Sequence, residues 1–278
     1  METRICQLCN KRPATSREHL PAQSVSNVGK VEIRFIDGRT NPGDGVQHIL
    51  EESNNGFWVL ALCPSCNSKT GFRYGSAYAN FVSQVSKSAG IEDLKGNVYV
   101  HLEDVYPVRV LKQMFSMFLC AMPQRSMPAW QKIRNFVLQR DANLPSDAPH
   151  VYLYKNISRV GRIAPPCGIS ELFTSRGPIL VSEISWPPVG IIFCDPPDDR
   201  FKDMEDVTSW GQYNFKQKKN LVIKLPQLRI TTDHPIAFGT PDEVERWRTT
   251  HGILWYVPEA DDPTLQTSVS MLWKKAAG

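Results

Sequence analysis

Leu62-Cys63-Pro64-Ser65-Cys66-Asn67-Ser68-Lys69-Thr70-Gly71 is the stretch on which the fold turns. It places two cysteines at C-x2-C spacing and follows them at once with an asparagine. A C-x2-C pair makes a knuckle that turns two thiolates towards one point. A second pair, Cys6-Gln7-Leu8-Cys9, lies near the N-terminus. Two knuckles supply the four tetrahedral ligands of a closed structural zinc site. The 53 residues between the pairs do not prevent a shared site, because the entropy of loop closure grows slowly with length. A redox C-x-x-C needs a thioredoxin-like βαβ setting, and neither pair has one.

The other three of the seven cysteines, Cys120, Cys167 and Cys194, stand alone. Their apolar surroundings read as a core that uses cysteine as a small hydrophobe. The N-terminal Met1-Glu2-Thr3-Arg4-Ile5-Cys6 lacks the hydrophobic segment of a secretory signal. The expected compartment is therefore the reducing cytoplasm, where cysteines serve metals or cores rather than disulfides. No apolar run approaches the roughly 18 residues of a membrane span, so no membrane partner is expected. With 41% hydrophobic and 22% charged residues, the composition excludes a disordered, collagen-like or coiled-coil chain. A length of 278 residues allows one or two domains.

Around the knuckles the chain divides into three regions. Residues 1–85 are rich in turn signals, such as Asn41-Pro42-Gly43-Asp44-Gly45 and Asn54-Asn55-Gly56. Val31–Ile36 alternates apolar and polar residues and, with Val46–Leu50, predicts a hairpin. Phe57–Leu62 reads as a continuous apolar strand. Residues 86–145 form a helical connector, which continues a helix already marked by Tyr78, Phe81, Val82 and Val85 on one face. Pro107 opens a second helix through Val110, Leu111, Met114, Phe115 and Phe118, and Trp130, Ile133 and Val137 mark a third. Residues 146–278 read as a β-rich accessory region, with strands at Val151–Tyr154, Ile179–Ile184, Val189–Phe193, Leu221–Ile230 and Ile253–Val257. Thr240-Pro241-Asp242-Glu243 has the pattern of a helix start. The fold class is α+β.

Between the knuckles stands Arg17-Glu18-His19-Leu20-Pro21. Alone, Glu-His reads as a surface pair and Asn67 as a helix N-cap. The ordered set Cys6, Cys9, Glu18-His19, Pro21, hairpin, Cys63, Cys66-Asn67 resembles the HNH nuclease superfamily in its cysteine-bearing branch. The resemblance covers residues 4 to about 80. It implies a ββα-metal finger over residues 1–85, pinned by structural Zn²⁺ on Cys6, Cys9, Cys63 and Cys66. It further implies metal-dependent hydrolysis of phosphodiester bonds in DNA. His19 would take the proton from water, and Glu18 and Asn67 would offer oxygen ligands to catalytic Mg²⁺ or Mn²⁺. Gly71 stands where the two-histidine branch has a further ligand, which places this chain with the Asp/Glu-plus-Asn branch. Lys69, Arg73 and Arg17 are candidate phosphate contacts, and His48 lies in the enlarged hairpin. The alternative is a degenerate zinc module that holds nucleic acid or a protein without cutting.

Net charge is +4, distributed as +2 over residues 1–80, +3 over residues 81–145 and −1 beyond. The excess of positive charge thus lies with the candidate phosphate chemistry. In the second half, Asp233-His234-Pro235 lacks surrounding cysteines and reads as a turn. Lys216, Lys218, Lys219, Lys224 and Arg229 form a basic stretch beside Tyr213 and Phe215. Two readings stay open for it: nucleic-acid contact, or compensation of the six acids in Asp195–Asp206. The C-terminal region leaves a homodimer or a regulatory partner open. By analogy with prokaryotic defence effectors that carry HNH domains, it would be a sensor.

Overall fold

The computed structural model describes residues 4–29, 31–36, 47–88, 91–94, 96–121, 130–157, 161–169, 179–228 and 253–257. Strand β1 (Ser16–His19) pairs antiparallel with β4 (Trp58–Leu62), with Glu18 opposite Val59 and His19 opposite Trp58. Between them in sequence, β2 (Val31–Ile36) and β3 (Gln47–Ser53) form the expected antiparallel hairpin. The hairpin gains a third strand from far away. Strand β13 (Ile253–Val257) pairs with β2, Ile253 facing Ile36 and Val257 facing Glu32. No local pattern marks such a partner, since strand pairing is set by side chains that sit far apart in sequence.

After β4 the chain turns into α1 (Pro64–Thr70), opened by Pro64 at the first helical position, where its fixed φ suits a helix and its missing N–H costs nothing. A single π-helical turn, Gly71–Gly75, carries the rod on into α2 (Ser76–Lys87). Tyr74 in that turn is buried, and its hydroxyl donates to the Val137 carbonyl at 2.5 Å. The expected face of α2, Tyr78, Phe81, Val82 and Val85, is buried.

The middle region holds more than helices. Short β5 (Ile91–Glu92) precedes β6 (Asn97–Val105), in which Val98, Val100 and Leu102 are buried while Tyr99, His101 and Glu103 are exposed. That two-residue period marks a half-covered strand, set between stretches of helical period. Helices α3 (Pro107–Ala121) and α4 (Trp130–Leu138) follow where expected. Every residue of α3 except Arg109 is buried, so its polar Lys112, Gln113 and Ser116 are enclosed with its apolar stripe. The Lys112 ammonium donates to the carbonyls of Phe136, Gln139 (2.9 Å) and Ala142 (3.2 Å). It thereby satisfies one carbonyl in the last turn of α4 and two in the segment that follows it.

The second half supplies β7 (His150–Asn156), β8 (Arg162–Ile169), β9 (Ile179–Trp186), β10 (Val189–Asp195), β11 (Glu205–Asp206) and β12 (Lys219–Leu228). With β5 and β6 they make one eight-stranded sheet, ordered β5-β6-β12-β7-β10-β9-β8, with β11 added to β7. Strand β12 joins β6 antiparallel and β7 parallel, which ties the middle of the chain to the second half. Gly190 on β10 is required by packing: a Cβ there would fall 1.9 Å from Cζ of Tyr154. One apolar core runs from Cys6 and Leu62 through α3 to Ile223 and Leu225. The molecule is thus a mixed α+β fold built on one large sheet. Among the described residues no helix is long and apolar enough to cross a membrane. The expected helix at Thr240 and the Asp233-His234-Pro235 turn lie outside the described residues.

Candidate metal centre and hydrolytic site

The two cysteine knuckles meet. The Sγ atoms of Cys6, Cys9, Cys63 and Cys66 all lie within 4.8 Å of one another. Cys9 Sγ and Cys63 Sγ are 3.9 Å apart. Four thiolates around zinc at about 2.3 Å stand about 3.8 Å from one another, so the spacing fits a tetrahedral ion. It is far beyond the ~2.05 Å of a disulfide bond. All four thiols are free.

Backbone hydrogen bonds build this arrangement. Asn10 N–H donates to Cys6 O at 2.9 Å, and Asn10 takes φ of 51°, which closes the first knuckle. Gln7 N–H donates to Ala61 O at 2.8 Å, which fastens that knuckle to β4. In the second knuckle Cys66 N–H and Asn67 N–H both donate to Cys63 O, each at 3.0 Å. Burial pushes the Cys6 and Cys66 thiols up. Burial also opposes ionisation of Cys9, but donors at Lys11 and Arg12 and the neighbouring thiols outweigh it and bring Cys9 to about 7. Behind the first knuckle, buried Arg134 of α4 donates through Nε to Gln7 O at 2.6 Å.

The second knuckle delivers Asn67. Its Nδ2 donates to Ser16 Oγ and to Arg17 O, both at 2.8 Å, and so clips α1 onto β1. The amide oxygen Oδ1 stays without a partner among the described residues. Successive strand residues face opposite sides, so Glu18 and His19 project from opposite faces of β1, after a bulge between Ser16 and Arg17. Glu18 is 6% exposed and makes no hydrogen bond or ion pair among the described residues. Burial pushes its carboxyl up to about 7. An enclosed carboxylate without a partner is costly, and a hard cation is the partner that its oxygens suit. Glu18 and Asn67 Oδ1 are oxygen donors of the kind such an ion takes.

His19 sits on the other face at the end of β1. Its Nε2 lies 2.9 Å from Asn55 O. A carbonyl can only accept, so the ring donates from Nε2 and the neutral tautomer leaves Nδ1 as the free acceptor. Burial lowers the His19 pKa, the Asn55 carbonyl opposes that, and the charge of Arg17 adds to the lowering. The net shift favours the neutral imidazole.

The segment that carries Asn55 is locked by a residue with no sequence signal beyond that of a turn. Asn27 is fully buried and donates through Nδ2 to Pro21 O (2.6 Å) and Phe57 O (2.8 Å). Its Oδ1 accepts from Phe57 N–H at 2.8 Å. Gly56, at φ of 72°, packs so closely that a Cβ would meet Asn27 O at 2.4 Å. Asn27 and Asn55 are site-building residues that the motif leaves out.

The candidate phosphate contacts divide. Lys69 is exposed on α1. Arg17 lays its guanidinium over the Trp58 ring, 4.3 Å from the centroid. Arg73 turns away from Asn67 and donates through Nη1 to Leu138 O at 3.0 Å. His48 lies on β3 opposite Phe35, with its side chain outside the described residues. Cys120 and Cys194 are buried as expected, and the side chain of Cys167 is outside the described residues. No protein-family model, curated protein or solved structure matches this chain.

Proposed function

We propose that the chain is a metal-dependent endonuclease of the HNH type that hydrolyses phosphodiester bonds in DNA. The observation that carries this reading is the Asn67 clip. A helix delivered by a cysteine knuckle is hydrogen-bonded onto the strand that bears both Glu18 and His19. In this reading Cys6, Cys9, Cys63 and Cys66 hold a structural zinc ion that keeps the clip in place. Glu18 and Asn67 Oδ1 bind one Mg²⁺ or Mn²⁺, which supplies charge neutralisation at the phosphate and the leaving oxygen.

The chain's own part is to carry the base His19 on the end of β1 and the oxygen donors Glu18 and Asn67 on β1 and the helix clipped to it. Asn55 O fixes the His19 tautomer so that Nδ1 takes the proton from water. The lowered pKa keeps that atom unprotonated near neutral pH.

A second reading is favoured by two observations, the enclosure of Glu18 at 6% exposure and its projection from the face of β1 opposite His19, where cleavage would need the base and the ligands to converge on one space. A module that binds nucleic acid or a protein through a zinc-held finger without cutting would need no accessible carboxylate there. Cleavage of duplex DNA, single-stranded DNA and RNA by zinc-loaded protein, with and without added Mg²⁺ or Mn²⁺, separates the two. The nuclease reading expects divalent-dependent cleavage that Glu18→Ala and Asn67→Ala both weaken. Binding with no cleavage under any condition supports the second.

A further inference from the structure

Beyond the finger, side chains from four separate segments assemble into an alternating cluster of cations and rings. Arg109 of α3 lies over Tyr106 (4.1 Å to the centroid) and over Phe215 (4.3 Å). Arg140, just past α4, lies over Phe215 at 4.6 Å. Lys218 approaches Tyr106 at 5.6 Å. Tyr74 of the finger helix meets Phe215 edge-on at 6.2 Å, and its neighbour Arg73 holds Leu138 O. The basic stretch of the second half is thus joined to the finger.

The way these cations are held matters. A carboxylate partner would consume the guanidinium fork. Here Arg109 is anchored by a single bond, Nε to Phe215 O at 2.9 Å. Neither Arg73 nor Arg109 has a carboxylate partner among the described residues. Arg109 is oriented by two rings and one backbone carbonyl, so no carboxylate among the described residues takes its fork, as recognition of phosphate requires. The acids nearby stand at the rim. Asp104 pairs with Lys218 at 3.4 Å and Asp141 with Arg140 at 3.8 Å, and these two carboxylates are 73% and 85% exposed. No ion pair joins Lys216, Lys218, Lys219 or Lys224 to the acids of Asp195–Asp206 among the described residues. With cations already against both rings, what the cluster offers outward is donors rather than bare aromatic faces. Arg73 stands six residues past Asn67 on one continuous rod, about 9 Å along the axis at ~1.5 Å per residue.

We propose that Arg109, Arg140 and Lys218, with Arg73, form a phosphate-binding track for the backbone of the DNA that enters the finger. This rests on the nucleic-acid part of the proposed function. The track reads charge and not sequence.

The test is fluorescence anisotropy of full-length, zinc-loaded protein on labelled duplex DNA, without Mg²⁺ or Mn²⁺, across a salt series. Cleavage of the same DNA with Mg²⁺ is measured in parallel. Each lost phosphate contact flattens the log K against log salt slope by about 0.9. The triple variant Arg109→Gln/Arg140→Gln/Lys218→Gln is expected to flatten it by about 2 to 3 and weaken binding at least tenfold at about 0.1 M salt. Arg140→Gln/Lys218→Gln, which alters only side chains 41% and 46% exposed, keeps the test valid should the triple variant misfold. Its slope should flatten by about 1 to 2. Wild-type slope and affinity in the double variant overturn the track, and so does wild-type protein that binds no DNA. If the substitutions instead abolish binding to phosphatidylserine vesicles while leaving DNA binding alone, the surface serves a lipid and the proposal falls. Flattened slopes without cleavage keep the track and remove the nuclease reading. Cleavage with unaltered slopes does the reverse.

Discussion

Asn27→Ala isolates the device that fixes the candidate base. The substitution deletes three buried hydrogen bonds of 2.6, 2.8 and 2.8 Å. Phe57 O keeps Leu20 N–H at 3.2 Å, whereas Pro21 O loses its Asn27 donor and Phe57 N–H its Asn27 acceptor. Each orphaned buried group costs about 1–3 kcal/mol and each lost hydrogen bond about 1. With Pro21 O orphaned and two further bonds lost, the expected destabilisation is about 3–5 kcal/mol, a large share of the roughly 5–15 kcal/mol that holds a domain together. Urea denaturation at pH 7 measures it as a lower midpoint at unchanged m-value. Amide exchange at Phe57 should accelerate in step.

Asn27→Asp sharpens the test. It keeps the acceptor for Phe57 N–H but points a second acceptor at two carbonyls, which raises the folded-state pKa above the unfolded ~3.9. Folded protein then holds a proton that unfolded protein releases. The variant should be most stable below about pH 4 and lose stability as pH rises, by at most ~1.4 kcal/mol per pH unit. A loss under about 1 kcal/mol for Asn27→Ala, or an Asp variant indifferent to pH, would refute the assignment of Asn27 as the lock.

Further outcomes follow from the same geometry. Glu18 is raised by burial to about 7, so wild-type stability should fall between about pH 4.5 and 7, as the unfolded carboxyl releases its proton first. Glu18→Gln should remove that fall and be more stable at pH 8 by up to about 3 kcal/mol. Added Mg²⁺ should raise the Tm of the wild type and not of the Gln variant, and parallel pH profiles would count against an unpartnered Glu18. Purified protein should contain one zinc per chain by elemental analysis, and Cys66→Ser or a strong chelator should lower Tm with loss of helical signal. Zinc content far below one per chain would remove the metal centre. Gly56→Ala meets both positive φ and the Asn27 carbonyl, and should cost more than about 1 kcal/mol in chemical denaturation.

The parts of the site that were legible in the sequence share a cause. Cysteine spacing within each knuckle is local, and the four thiols meet as that spacing implies. Strand β4 and the helix start at Pro64 follow from an apolar run and a proline, whereas β1, built from polar Ser16–His19, carries no strand pattern of its own. What was illegible depends on long-range pairing. Asn27 and Asn55 carry ordinary turn signals, and their roles arise only because Phe57 and His19 are brought against them. Strand β13 finds β2 across more than half the chain. Arg109, Arg140 and Phe215 lie in three regions that read separately as helix face, helix end and loop. Only packing around α3 joins them.

The most direct measurement is single-turnover nicking of supercoiled plasmid by zinc-loaded wild-type and His19→Ala protein, with Mg²⁺ or Mn²⁺ at neutral pH. The account predicts divalent-dependent nicking by the wild type that falls by about 10²- to 10⁴-fold in His19→Ala, the loss expected on removing a general base. Nicking at equal rates by both proteins, or none by the wild type, would contradict it.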